Sequence, residues 1–381
     1  MSLGVGDYEV MLADRGGGTY IGRITNVTRI KWGRIRDDIS AATITVHQPN
    51  PKCADLLKNA KTVRNEVVIL RNGVRVWEGP IIRLEYGVEA VEIDCRDVLW
   101  YASRRALETH IQWNMVHTVN PDGTYHFTGV DAIQALLPVL QGAYGDGLTD
   151  PYGFNVGQFL TPIAGPEDPA SRREFPAFSR TIWEVLDALA EDGGVDYVVT
   201  GRRIMWWDVH LRPMILNRMT DEDFLGSMLV SEYGSQLATR RHRTDTAGLV
   251  TSATADASWI TYYGPIDDVQ SVPEESQSTA VPASEPSTAS PATAEPPTPP
   301  VLTVPAPVAA RLPANTRLDP CVDLDINELI PGLWVPIYST KTIRPLETWM
   351  KLQEVSVTVE NGDDVVNVTL IQPTSTWVDL P

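Results

Sequence analysis

The feature that most constrains this chain is a period of two in its apolar residues, repeated in short segments that turn residues close. In Lys351 to Glu360 (KLQEVSVTVE), Val355, Val357 and Val359 share one face; Asn361-Gly362 reverses the chain, and Val366, Val368 and Leu370 answer from the partner strand. Glu66 to Leu70 (EVVIL), Arg71-Asn72-Gly73 and Val74 to Glu78 (VRVWE) give the strongest hairpin signal, because Asn-Gly supplies the positive φ angles of a tight β-turn. Around it a meander is predicted from Tyr8 to Ala13, Tyr20 to Thr25, Val27 to Arg34, Ala42 to His47, Ile81 to Tyr86 and Ala90 to Arg96, with a Gly-rich turn over Asp14 to Gly18. Pro51 opens a short helix, and at Val98 to Leu107 the period changes toward a helical one.

Residues 108 to 210 read as mixed α and β. Thr128 and Asp131 resemble a capping box opening a helix through Gln141, which Pro138 would kink or shorten. A clearer helix runs from Arg180 to Asp192, where Thr181 and Glu184 form a capping box, Ile182, Val185, Leu186 and Leu189 make the apolar stripe, and Gly193-Gly194 stop it. Tyr197 to Val199 and Ile204 to Trp207 form a hairpin around Gly201, and further strands are predicted at Leu225 to Ser231, Leu249 to Ala255 and Trp259 to Tyr263. Ser271 to Ala310 differs in kind: 29 of its 40 residues are Pro, Ser, Thr or Ala, with no aromatic, Gly, Lys or Arg, a composition that favours extended or polyproline backbone over a packed core. From Thr244 to Ala310 there is no Lys or Arg, while Asp245, Asp256, Asp267, Asp268, Glu274, Glu275, Glu285 and Glu295 concentrate negative charge.

Chemistry-bearing motifs are absent where they would be needed. Gly16 to Gly18 open no nucleotide-binding loop, and none of His47, His110, His117, His126, His210 and His242 has zinc-protease spacing. No G-x-S-x-G elbow raises a serine. Asp323, Asp325 and Asn327 match the start of a calcium loop, but Glu328 stands where the turn needs Gly and Trp334 where it needs Glu. Asp221, Glu222 and Asp223 supply acids without the specificity a glycosidase pair would require. Cys53, Cys95 and Cys321 form no C-x-x-C pair and read as reduced, buried thiols. No catalytic, cofactor-binding or metal site is therefore expected. The N-terminus lacks an export signal and no apolar run reaches the length of about 18 residues that spans a bilayer, so neither Sec export nor a membrane span is expected. A net charge of −18 disfavours nucleic-acid binding, which draws on Lys and Arg. The compact basic run Arg240-Arg241-His242-Arg243 reads as a solvated or intersubunit ion-pair patch. Trp206-Trp207, adjacent in a strand, point to opposite faces, which predicts that one is exposed or at an interface; subunit contact and carbohydrate stacking are both open.

In their order along the chain, NVTRIKWGRIRDDISAATITV (Asn26 to Val46), VVILRNGVRVWEGPI (Val67 to Ile81), VEIDCRDV (Val91 to Val98), TIWEVLDALAEDGGVDYVVTGRRIMW (Thr181 to Trp206), ITYYGPI (Ile260 to Ile266), INELIPGLWVPI (Ile326 to Ile337) and the C-terminal hairpin resemble minor tail proteins of long-tailed phages that infect actinobacteria. Such proteins are similar to tail-tip and baseplate hubs, in which two β-barrels related to tail-tube proteins carry α+β insertions and assemble as a trimer. The resemblance implies a mainly β fold: a first tube-like barrel at 1–105, an α+β insertion at 106–210, a second barrel split between 211–270 and 312–381, and the Pro-rich extended segment at 271–311. It also implies a non-enzymatic virion protein at the tail tip, assembled in the host cytoplasm. Its partners would be copies of itself, the distal tail protein, the tail tube, the tape-measure protein and other minor tail proteins, and DNA would pass without specific binding. The Pro-rich stretch stands where similar proteins carry a more helical one. A carbohydrate- or receptor-binding tail module is the alternative, and a cell-wall hydrolase a more distant one.

Overall fold

The computed structural model describes residues 6–108, 110–119, 125–128, 155–158, 164–192, 195–208, 214–215, 218–225, 230–233, 240–244, 250–254, 260–261, 265–271, 310–313, 316–322, 324–341, 346–360 and 363–371. The helix predicted after Thr128, the turn at Asn361-Gly362 and most of the Pro-rich segment lie outside them. The chain divides into two units, one of residues 1–230 and 313–371 and one of 231–312 and 372–381.

The first unit opens with the predicted meander: β1 (Tyr8–Asp14), β2 (Tyr20–Ile24), β3 (Val27–Ile35), β4 (Ala41–His47), helix α1 (Pro51–Asn59), β5 (Asn65–Arg71), β6 (Val74–Tyr86) and β7 (Ala90–Arg96). Pro51 starts α1 as expected, and the Asn50 side chain caps it by accepting from the Cys53 N–H. The β5–β6 turn has φ 52° at Asn72 and 76° at Gly73, the left-handed pair that a two-residue hairpin requires. Ile81 to Tyr86, read as a separate strand, instead continues β6: its first half pairs with β5 and its second with β7. Gly79 sits at that switch, where a Cβ would stand 1.7 Å from the Arg96 carbonyl oxygen, so only glycine lets the strand bend against its neighbour. The helix expected over Val98 to Leu107 shrinks to one turn, α2 (Trp100–Ser103); Leu107 is instead bonded into the chain at Phe178 and Arg180.

Next come β8 (Ile111–Val119), β9 (Tyr125–Thr128), β10 (Asn155–Gln158), β11 (Ala164–Phe175), helix α3 (Ile182–Asp192), and the hairpin β12 (Val195–Thr200) with β13 (Arg203–Asp208). Thr181 and Glu184 close the predicted capping box: the Thr181 N–H donates to Glu184 Oε2 at 2.6 Å and the Glu184 N–H to Thr181 Oγ1 at 3.2 Å. The stripe of α3 packs with Tyr197, Val199 and Trp206 in a core of its own.

β14 (Met219–Thr220), β15 (Val230–Tyr233), β16 (Arg240–Thr244), β17 (Val250–Thr254), β18 (Asp267–Ser271), β19 (Ala310–Pro313), β20 (Thr316–Arg317), β21 (Trp334–Ser339), β22 (Leu346–Glu360) and β23 (Asp363–Ile371) complete the chain. The C-terminal hairpin forms in the predicted register, with Val355 opposite Val368 and Val357 opposite Val366. Where a strand was expected at Trp259 to Tyr263, Ile260 and Thr261 are helical. In the second unit, β16 lies between antiparallel β17 and parallel β18.

In the first unit, twelve strands make one mostly antiparallel sheet in the order β14-β21-β22-β3-β4-β7-β6-β5-β1-β2, with β23 and β20 branching from β22. The pairing of β22 with β3 fuses the N-terminal meander to the C-terminal hairpin, although some 320 residues of sequence separate them. A single apolar core runs under both halves, from Val10, Ile44 and Ile93 to Ile337, Val355 and Val368. The fold is mainly β as expected, but this sheet is open and does not close into a barrel.

Candidate functional site: buried charge clasps and an open polar sheet face

β5 is buried on both faces, because α2 and the β12–β13 hairpin cover its outer side. Two carboxylates, Glu66 on β5 and Glu78 on β6, are fully buried there. Arg202, at the tip of the β12–β13 hairpin, pairs with Glu66 and places Nε 3.2 Å from Glu78 Oε1. Arg75 donates to Glu78 at 2.5 Å, the Tyr101 hydroxyl to Glu66 at 2.8 Å, and the Gly16 N–H to Glu66 at 3.1 Å. Burial raises the Glu78 carboxyl above its ordinary range despite Arg202 and Arg75.

Two further clasps bind segments distant in sequence. At the end of β3, Arg36 donates to Asp196 of β12 at 2.8 Å and to Gln353 of β22 at 2.8 Å, and Lys351 of β22 pairs with the other Asp196 oxygen. Burial and the neighbouring Asp196 push Asp37 up to about 7, and burial lowers Lys351. Across the sheet, Arg71 and the Tyr8 hydroxyl both reach Asp364 Oδ2 at 3.2 Å. Arg34 is buried beneath β3, donating to the Ile326, Leu329 and Val76 carbonyls, and desolvation lowers it to about 10. Such groups stabilise the fold only while every partner is present.

The other face of β23-β22-β3-β4-β7-β6 carries continuous rows that are polar except for Val365 at one end. One row is Val365, Thr358, Lys31, Thr43, Asp94 and Arg83; the next is Asp363, Glu360, Arg29, Thr45, Glu92 and Glu85, and none of these side chains is buried. Part of its charge is paired around Arg83, which donates to Asp94 at 2.6 Å and lies 3.5 Å from Glu92, and Thr43 donates to Asp94 at 3.1 Å. Where β22 meets β3, a shallow cavity of about 270 Å³ is lined by Gly33, Ala41, Thr43 and Ser356 between Lys31 and Glu354. The two rows hold five acids, Asp94, Asp363, Glu360, Glu92 and Glu85, against three bases, Lys31, Arg29 and Arg83, an excess that disfavours phosphate.

The residues weighed as chemistry have structural partners. Asp221 accepts from Ser339 Oγ, the Thr340 N–H and the Lys341 N–H, which outweigh desolvation and hold it below the usual carboxylate range. Asp223 accepts from the Thr220 N–H at 2.7 Å. Asp325 accepts from the Asn327 N–H in a tight local turn, and no cluster of three metal-ligating groups occurs among the described residues. Arg240 and His242 both face Asp267, at 2.7 and 3.2 Å. Cys53 and Cys95 are buried as expected, whereas Cys321 is exposed. Trp206 and Trp207 do point to opposite faces, yet both are buried: Trp206 packs on the α3 core, and Trp207 with Val198, Met205 and Ile330. The clasps themselves carried no sequence signal, since a Gly-Arg turn tip and Glu in a strand are what exposed hairpins also contain. Among the described residues, no helix is long and apolar enough to cross a membrane.

No protein-family model matches the chain, and no curated protein matches it in sequence. Solved structures do match. The 43 kDa tail protein of prophage MuSo2 from Shewanella oneidensis superimposes over 96% of this chain and 98% of its own, with a TM-score of 0.56 at 13% identity. The prophage tail protein gp18 from Listeria monocytogenes matches over 97% and 95% with a TM-score of 0.54, and a tail protein from Neisseria meningitidis over 96% of both chains with the same score, each at 9% identity. The chain shares its fold with these three phage tail proteins. That tail-protein fold runs nearly end to end in each comparison, so it takes in the α3 and β12–β13 region as well as the large sheet.

Proposed function

We propose that the chain is a structural, non-enzymatic tail-tip hub protein of a bacteriophage. The observation that carries this reading is the end-to-end correspondence of its fold with three phage tail proteins. In this reading 1–105 and 211–270 with 312–381 are two tube-like modules that each contribute strands to the large sheet, the residues between them an α+β insertion, and 271–311 an extended segment. The β22–β3 junction makes the two modules one rigid wall. Three chains then set six modules around the tail axis, joining the tail tube and distal tail protein to the tip and its receptor-binding components. The polar face lines the channel through which tape-measure protein and DNA pass; its excess of acids over bases repels phosphate within a screening length of about 8–10 Å. The protein works in the virion tail tip after assembly in the host cytoplasm.

A sugar-binding module is less well supported, because no tryptophan whose side chain is described is exposed. Quantitative mass spectrometry of purified virions tests the reading. Three copies of this chain per tail are expected; a copy number matching the many rings of the tube, or absence from the virion, overturns it.

A further inference from the structure

Helices α2 and α3 and the β12–β13 hairpin close a core of their own. The apolar stripe of α3 packs on Leu99 and Tyr101 from around α2 and on Tyr197, Val199, Ile204 and Trp206, so one face of the hairpin is spent inside this lobe. Its other face offers the large sheet only a small apolar seam, Val198, Met205 and Trp207 against Ile330. The rest of the joint is charge, placed at the two ends of the hairpin. At the tip Arg202 lies between Glu66 and Glu78, and the Tyr101 hydroxyl donates to Glu66. At the base Asp196 pairs with Arg36 and Lys351.

Beside the base, Asp37 grips Tyr197 in both directions. The Asp37 N–H donates to the Tyr197 carbonyl at 3.0 Å, and the Tyr197 N–H donates to Asp37 Oδ1 at 2.9 Å. Asp37 holds φ 59°, a left-handed conformation that Asp and Asn adopt more readily than most side chains. A joint made this way differs from an apolar one. Each buried charge regains water when the joint parts, which offsets much of the attraction lost, and the core inside the lobe is left intact.

We propose that α2, α3 and the β12–β13 hairpin form a latch that opens from the sheet as a unit, with the Asp37–Tyr197 grip as its pH-sensitive catch. Facing Asp37 are Arg36 from its own loop, Asp196 and Tyr197 from β12 and Lys351 from β22, while Asp38 and Asp187 act on Tyr197. Burial and Asp196 push the docked Asp37 carboxyl up to about 7 against an ordinary 3.8, and burial raises Glu78 at the tip in the same direction. Between those values the docked lobe holds a proton that the parted lobe releases, so docking weakens as pH rises through that window. Lys351, lowered by burial, pulls the opposite way. The comparison that isolates the catch is therefore Asp37→Asn, which keeps the acceptor and tolerates the left-handed backbone but cannot ionise.

Amide hydrogen exchange of the full-length chain at about pH 5 and about pH 7, corrected for the chemical exchange rate, is the test. In wild type the amides of α3 and β12 should lose protection at the higher pH while those of β4 and β7 keep theirs. The ratio of lobe protection between the two conditions should be at least about fivefold larger in wild type than in Asp37→Asn, which at the higher pH holds the lobe more firmly than wild type does. Equal ratios in the two proteins would remove Asp37 as the catch and overturn the proposal. So would loss of protection in β4 and β7 in step with the lobe, because the lobe would then not open on its own.

Discussion

At the scale of single residues, close contacts and buried charge decide what can be replaced. Gly332 has φ 98°, and a Cβ there would stand 2.2 Å from Cζ2 of the buried Trp207. Gly332→Val is therefore expected to lose more than about 2 kcal/mol, since an overpacked site and a left-handed backbone combine; chemical denaturation checks it, and a variant within about 0.5 kcal/mol of wild type contradicts the packing described. Asp97 supplies a pH dependence. Burial pushes its carboxyl up to about 7 against an ordinary 3.8, although Ser40 and Leu99 donate to it. Between those values the folded chain holds a proton that the unfolded chain releases, so this group destabilises the fold as pH rises through the window, by at most about 1.4 kcal/mol per pH unit. Asp97→Asn cannot ionise, and its thermal midpoint should fall less than that of wild type between pH 4 and pH 7. The slope is reduced and not abolished, because Asp37 is pushed the same way. Identical slopes in the two proteins would contradict this.

At the scale of elements, the Arg202 hairpin tip joins pieces that sequence alone leaves apart. Arg202→Met removes the cation between two buried carboxylates, and breaking such a pair costs about 3–5 kcal/mol. Adding Glu66→Gln should recover part of that loss, because it removes one of the stranded charges; a double variant no more stable than the single one would mean that the clasp is not the source. The contrast explains what was legible. Strands with one buried face declare themselves by alternation, as in Ala41–His47 and Asp363–Ile371, and Thr181 with Glu184 declares the helix start. Glu66 and Glu78 occupy positions that an exposed hairpin would also give to acids, and only the covering hairpin makes them interior. The same burial reverses the expectation for Trp206-Trp207: alternation assigns the two to opposite faces correctly, but the pattern cannot say that both faces are covered. Likewise a short helical period at Val98 to Leu107 gives way to one turn because Leu107 and Ala106 bond to the Phe178–Thr181 segment instead.

At the scale of the whole molecule, the β22–β3 pairing converts two β-rich ends of the sequence into one sheet over one core. Without it the ends would be independent modules, and a ring built from them would have a hinge in every subunit. Val355→Pro would remove a backbone donor where β22 faces Arg34 of β3 and is expected to destabilise both halves together, which hydrogen exchange on β4 and on β23 would report as joint loss of protection. Loss confined to β23 would show that the halves are separable. In the proposed reading this sheet forms the wall of a threefold tail-tip channel. Cryo-electron microscopy of the tail tip should then show three copies around the axis with Lys31, Thr43, Asp94 and Thr358 facing the lumen; a map in which that face points outward, or in which the chain lies off the axis, overturns the reading.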